Sequence, residues 1–237
     1  MINRLFTICC FMLLGVAHAQ TIVMKNDHYG LINKSNEVVI PFKYQSISKF
    51  PNSPFYLVCK DGQYGLLDSR GRVEIPIKYQ RLDTFPKSPK ILAQKNHLYG
   101  LVKHHGKIAV PIKYQSIERM PGSPHLLVQK NNLFGSINSI GKKRIPIKYQ
   151  SINKFGQHPF YLAKREDSYG FINHRGKILV PIKYQSIGEL SGSPFFLVEK
   201  KDKYGFINYK GRVIVKIKNR NVDQALTALE RKGRYNN

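Results

Sequence analysis

Tyr64-Gly65-Leu66-Leu67-Asp68-Ser69-Arg70-Gly71-Arg72-Val73-Glu74-Ile75-Pro76-Ile77-Lys78-Tyr79 decides the fold. Two apolar runs flank the turn-forming Ser69-Arg70-Gly71, and the second run alternates. Val73, Ile75, Ile77 and Tyr79 fall on one side, and Glu74, Pro76 and Lys78 on the other. Such a period of two marks a strand with one face in a core, here the Tyr side. Upstream, Phe55-Tyr56-Leu57-Val58-Cys59-Lys60 reads as another strand, joined to Tyr64 through the turn Asp61-Gly62-Gln63. Three strands in close succession predict an antiparallel meander, with room for a short fourth strand after the third. Pro86 to Pro89 then form a Pro-rich corner, where proline removes a ladder donor and fixes φ.

This unit recurs. Tyr-Gly or Phe-Gly returns every 35 residues at Tyr29, Tyr64, Tyr99, Phe134, Tyr169 and Tyr204. Ile-Pro or Val-Pro keeps the same step at Ile40, Ile75, Val110, Ile145 and Val180. Hairpin loops with Gly near their end predict positive φ at Gly71, Gly106, Gly141, Gly176 and Gly211, with Asn36 in that slot in the first unit. The Gly after each aromatic is expected to admit a close neighbour.

A three-stranded unit this small cannot bury its apolar face alone, so six units must cover one another. The expected fold is all-β, with residues 20–221 forming an open, twisted, solenoid-like array. The alternative is a six-bladed β-propeller in which Asn219 to Val222 close the first sheet. The last unit, Val215-Lys216-Ile217-Lys218-Asn219-Arg220, lacks the Pro and Tyr of the others, as a terminal repeat with no following neighbour does. After it, apolar residues at Val222, Ala225, Leu226 and Leu229 predict a short helix, and residues 222–237 are read as a cap and tail.

Residues 1–19 read as a signal peptide: Arg4 in a basic start, an apolar run from Leu5 to Val16, and Ala17-His18-Ala19 as the cleavage site. Cys9 and Cys10 fall inside that leader, which leaves Cys59 as a lone small hydrophobe. The reading is of an exported protein, periplasmic or extracellular. The chain is strongly basic, with 39 Lys and Arg against 14 Asp and Glu and a formal net charge of +25. Such a charge implies affinity for anionic surfaces or polymers.

Tyr169-Gly170-Phe171-Ile172-Asn173, Gly176-Lys177, Val180-Pro181 and Tyr184-Gln185-Ser186-Ile187 together resemble the repeat unit of the WG-repeat family of bacterial proteins. The resemblance runs over about residues 22–220. It differs in having Tyr or Phe for the family's Trp, and Gln45, Gln80, Gln115, Gln150 and Gln185 where Asp is common. It implies an exported or surface-associated β-repeat protein and carries over no catalytic residue.

Two cation sets keep the repeat phase. Lys43, Lys78, Lys113, Lys148, Lys183 and Lys218 fall on the outer side of the third strands, and Arg72, Lys107, Lys142, Lys177 and Arg212 follow the turn glycines. A regular row of cations suits a regular polyanion. The competing reading is a solvated face whose lysine stems lie over neighbouring aromatic rings. The tyrosine series Tyr44, Tyr79, Tyr114, Tyr149 and Tyr184 is expected in the core. Adjacent His104-His105 lack a third ligand nearby, and no paired carboxylates, phosphate loop or nucleophile motif occur, so no metal, cofactor or catalysis is expected. The expected partner is a protein or an anionic envelope polymer; nucleic acid is not favoured, because an exported protein first meets lipid phosphates and acidic glycans.

Overall fold

The computed structural model describes residues 20–234; the leader expectation, with Cys9 and Cys10, lies outside the described residues. The chain forms six antiparallel sheets. The first holds β1 (Thr21–Lys25), β2 (His28–Ile32) and β3 (Val38–Tyr44), and the second holds β4 (Ser46–Lys49), β5 (Tyr56–Lys60), β6 (Gln63–Leu67) and β7 (Val73–Tyr79). The third comprises β8 (Arg81–Thr84), β9 (Ile91–Lys95), β10 (Leu98–Val102) and β11 (Ile108–Tyr114); the fourth comprises β12 (Ser116–Arg119), β13 (Leu126–Lys130), β14 (Leu133–Ile137) and β15 (Lys143–Tyr149). The fifth has β16 (Ser151–Lys154), β17 (Phe160–Arg165), β18 (Ser168–Asn173) and β19 (Ile178–Tyr184), and the sixth has β20 (Ser186–Glu189), β21 (Phe195–Lys200), β22 (Lys203–Asn208) and β23 (Val213–Asn219). Helix α1 (Val222–Arg234) follows. Backbone contacts divide the chain into two compact units, residues up to 78 and residues from 79 onward.

The fourth strand is real, but it does not close its own meander. It opens the next sheet, as β4 pairs with β5 and β8 with β9. The chain crosses between sheets on one glutamine. That side chain's Oε1 accepts the N–H of the residue 17 positions on, in the first hairpin turn of the new sheet: Gln45 from Gly62 at 2.9 Å, Gln80 from His97 at 2.8 Å and Gln115 from Asn132 at 2.8 Å. These hairpins are two-residue turns with both residues left-handed, such as Asn131 (φ 51) and Asn132 (φ 60), whose twist matches that of the strands they join. Even Glu166-Asp167 and Lys201-Asp202 adopt it.

The second hairpin turns are as predicted. Gly71, Gly106, Gly141, Gly176 and Gly211 have φ of 77, 68, 84, 82 and 79, and Asn36 has 57. An Asn or Asp before five of the six turns accepts two backbone N–H groups through Oδ1; Asn173, for example, takes those of Arg175 at 2.9 Å and Lys177 at 3.0 Å. Lys103 has no such acceptor, and there the turn becomes the 3-10 segment His104–Gly106. The Gly after each aromatic is crowded by its hairpin partner: a Cβ on Gly170 would lie 2.6 Å from the Val180 carbonyl oxygen.

One expectation needs correction. Val73 and its equivalents Val38, Ile108, Ile178 and Val213 are exposed rather than inward. Register shifts in the second-to-third strand pairing, as between Leu101 and Val102, break the alternation there. Val39, Ala109, Leu179 and Ile214 pack against the core instead.

Each sheet has two apolar faces. In the fifth sheet Phe171, Val180 and Tyr184 pack against Ile187, Phe196, Val198 and Ile207 of the sixth. The five tyrosines of the series are all buried, and burial raises the pKa of each above the ordinary 10.0, with Arg165 opposing the shift at Tyr149. In the sixth sheet the corresponding Phe206 and Val215 pack against Ala225 of α1, with Leu226 and Leu229 beside them. The helix starts on Asn221, whose Oδ1 accepts the Gln224 N–H at 2.9 Å. Asn219 therefore ends β23 and Val222 opens a helix, so the closing strand of the propeller alternative is not formed by those residues.

Candidate functional site

All eleven cations of the two sets are exposed. Lys43, Lys78, Lys113, Lys148, Lys183 and Lys218 are each the sixth residue of a third strand, which is the edge of its sheet. The adjacent prolines, from Pro41 to Pro181, are tolerated because an edge strand spares a donor. Lys43, Lys113 and Lys148 hold Nζ 5.7 Å from the ring centre of the next tyrosine, and Lys183 holds it at 5.5 Å. The lysine heads thus stay in water beside rings whose bodies are in the core.

The second set lies in the turns, held by its backbone. The Lys142 carbonyl accepts the Asn138 N–H at 2.8 Å, and its N–H donates to Asn138 Oδ1 at 2.8 Å. Arg72 bonds Asp68 at 2.7 Å. Burial opposes ionisation of Asp68, but bonds from Arg72 and Arg70 outweigh it and lower its pKa. Asn138, Asn173 and Asn208 replace that acid in later units, so Lys142, Lys177 and Arg212 have a neutral residue there. The two sets stand six positions apart within a unit, as Arg72 and Lys78 do, about 20 Å at the usual rise, so the fold keeps them as distinct rows.

Between the third and fourth sheets one member of the lysine row, Lys113, borders a groove of about 460 Å³. Lys113, Lys130 and Lys143 line it together with Tyr114, Asn131 and Pro146, and no lining residue is acidic.

A second feature was missed in the sequence. His158 stands where the other corners have Ser53, Ser88, Ser123 and Ser193, each of whose Oγ accepts the N–H two residues on at 3.2 Å. His158 instead stacks on Phe160, with ring centres 4.8 Å apart and planes 9° apart, and its Nε2 lies 3.2 Å from Glu189 Oε1. Glu189 replaces Lys49, Thr84, Arg119 and Lys154 of the earlier units. Beside the pair lies a mainly apolar groove of about 490 Å³, lined by Phe160, His174, Leu179, Pro194, Phe196 and Tyr209 among others. The signal was two departures from the repeat in neighbouring units, at positions 31 residues apart.

His104 and His105 sit on the 3-10 turn, and no group of three metal-ligating side chains occurs among the described residues. Cys59 is buried, its Sγ 3.5 Å from Gln45 Oε1. No described helix is long and apolar enough to cross a membrane.

The family model of the WG containing repeat matches at residues 29–64, 99–134 and 169–204. The chain is a WG-repeat protein. The units between the matches, beginning at Tyr64, Phe134 and Tyr204, fold in the same register, with Gly65, Gly135 and Gly205 crowded in the same way. No curated protein matches the chain. Among solved structures it is similar to the dihydro-heme d1 dehydrogenase NirN in complex with DHE, at 11% identity over 83% of this chain and 53% of that one, TM-score 0.32. It is also similar to a eukaryotic initiation factor, at 11% identity over 84% of this chain and 62% of that one, TM-score 0.36. A third is Hsv2 of Kluyveromyces lactis, at 12% identity over 79% and 69%, TM-score 0.31. The WG-repeat chain spans about half the length of the dehydrogenase and less than two thirds of the initiation factor.

Proposed function

We propose that this WG-repeat protein is an exported, non-enzymatic binding or scaffold protein that presents its repeated surface to a protein partner in the periplasm or outside the cell. The observation that carries the reading is the sorting of each unit: the same apolar set is spent on neighbouring sheets, and the same polar set is turned outward. A surface repeated along the chain suits contact over several units rather than chemistry at one point.

A second reading, in which the two rows bind an anionic envelope polymer such as a polysaccharide, lipid phosphate or nucleic acid, is favoured by the exposure of all eleven cations and by the groove where Lys113 stands with Lys130 and Lys143 and no acid. Affinity of that kind falls steeply with salt because it comes from released counterions. Elution from immobilised heparin separates the readings. Under the polymer reading, reversing Lys113, Lys148 and Lys183 together to Glu shifts elution to markedly lower salt. Elution of the triple variant at the wild-type salt concentration rejects the rows as a polyanion site and leaves the protein-partner reading standing.

A further inference from the structure

Among the described residues, five sheets have four strands and the first has three. Among these residues the first sheet shows no opening strand, and the other five show its form. Each opener follows Gln and buries an aliphatic residue at its second position: Ile47, Leu82, Ile117, Ile152 or Ile187. In the register, Ile47 lies opposite Val58, Leu82 opposite Ala93 and Ile117 opposite Val128, all fully buried. The corresponding residue of β1, Val23, has no preceding sheet over it among the described residues, as Val58 has, and is only partly buried; Met24, beside the open edge, is 57% exposed where its equivalent Cys59 is 8% exposed.

The backbone tells the same story. Cys59 accepts the Gln45 N–H at 2.8 Å, so the peptide groups of Cys59 and, by alternation, Leu57 face the opener. Ile22 and Met24, 35 residues earlier, face outward by the same rule. No described glutamine caps the N–H of Asp27 in the turn Asn26-Asp27, although that turn has the same left-handed pair. The opposite edges of the sheets are guarded by Pro and Lys, as at Pro41 and Lys43 of β3, whereas Thr21-Ile22-Val23-Met24-Lys25 carries no Pro and only a terminal Lys.

We propose that the outer edge of β1 accepts an extended segment of a partner protein, of pattern Gln-x-(Ile or Leu)-x-x, as an antiparallel fourth strand. The five internal openers are the template. Main-chain bonds to Ile22 and Met24 supply the docking, the aliphatic residue covers Val23, and the Gln side chain caps the Asp27 N–H. This deepens the protein-partner reading and rests on it, but involves none of the cation-row residues.

The test titrates purified protein into a fluorescein-labelled peptide Tyr-Gln-Ser-Ile-Asn-Lys-Phe, the sequence of residues 149–155, and reads fluorescence anisotropy. Saturable binding is expected. Ile22→Pro, which deletes one outward N–H on an edge that tolerates proline, weakens it at least about tenfold. A peptide with Ile152→Lys weakens equally, independently of any effect on the fold of the protein. The Lys113→Glu, Lys148→Glu, Lys183→Glu protein binds the peptide as the wild type does. Absence of binding, or binding undiminished by both the proline and the peptide change, overturns the proposal. Loss confined to the charge-reversed protein moves peptide recognition to the cation rows and likewise overturns it.

Discussion

The first and sixth sheets are built from the same repeat and finished in opposite ways. The sixth has all four strands, and its Phe206 and Val215 lie under α1. The first has three strands among the described residues, and both Val23 and Ile32 are left partly exposed, although the residues equivalent to Ile32, such as Leu67 and Ile172, are fully buried. The difference shows that a sheet draws its cover from two directions. Within the first two sheets and within the last four, the opening strand and the cover over the face of residues such as Val58 and Leu67, or Val198 and Ile207, come from the unit before, and the cover for the tyrosine face comes from the unit after. The sixth sheet has a helix in place of the second kind of cover; among the described residues the first sheet has neither an opening strand nor a preceding sheet.

The fifth tyrosine and its sixth-sheet counterpart put this to the sharpest test. Tyr184 is buried against the sixth sheet, whereas the equivalent Asn219 is partly exposed and donates its amide N–H to the Tyr204 and Lys216 carbonyls at 3.0 and 3.1 Å. Tyr184→Asn should cost about 3 kcal/mol or more, as loss of a large core ring does. Asn219→Tyr should change stability by less than about 1 kcal/mol, because no following sheet waits to bury the ring. Urea denaturation of the two variants reads both, and equal losses would break the distinction.

A smaller, pH-driven effect follows from the same ring series. Burial raises the folded pKa of Tyr44, Tyr79, Tyr114, Tyr149 and Tyr184 above 10.0, so these groups hold their protons longer in the folded than in the unfolded chain. Their contribution is full below pH 10 and is lost as pH rises through the raised values. Circular dichroism followed with tyrosinate absorbance should show unfolding and ionisation of these rings together above pH 10. Ionisation of all tyrosines at the ordinary value, with the fold intact, would contradict their burial.

The turns were legible in the sequence because a left-handed residue leaves a local mark, Gly or Asn, and all six predicted positions adopt it. The tyrosine core and the exposed lysines followed from simple alternation. The destination of the fourth strand was not legible. Tyr79 and Arg81 belong to different sheets with only Gln80 between them, and a one-residue link looks like a continuing strand. The two-residue turn at Glu166-Asp167 was hidden for the opposite reason: Gln150 caps the Asp167 N–H from 17 residues away, so no turn glycine is needed. The His158–Glu189 pair needed the fold to bring neighbouring units together, since each residue alone looks like noise in the repeat.

Amide hydrogen exchange in the free protein, resolved by residue, tests the two-directional account most directly. Rapid exchange is expected at Ile22 and Met24, and strong protection at the equivalent Leu57 and Cys59, which face β4. Equal protection at both pairs would mean that the first sheet already has its opening strand, and would contradict it.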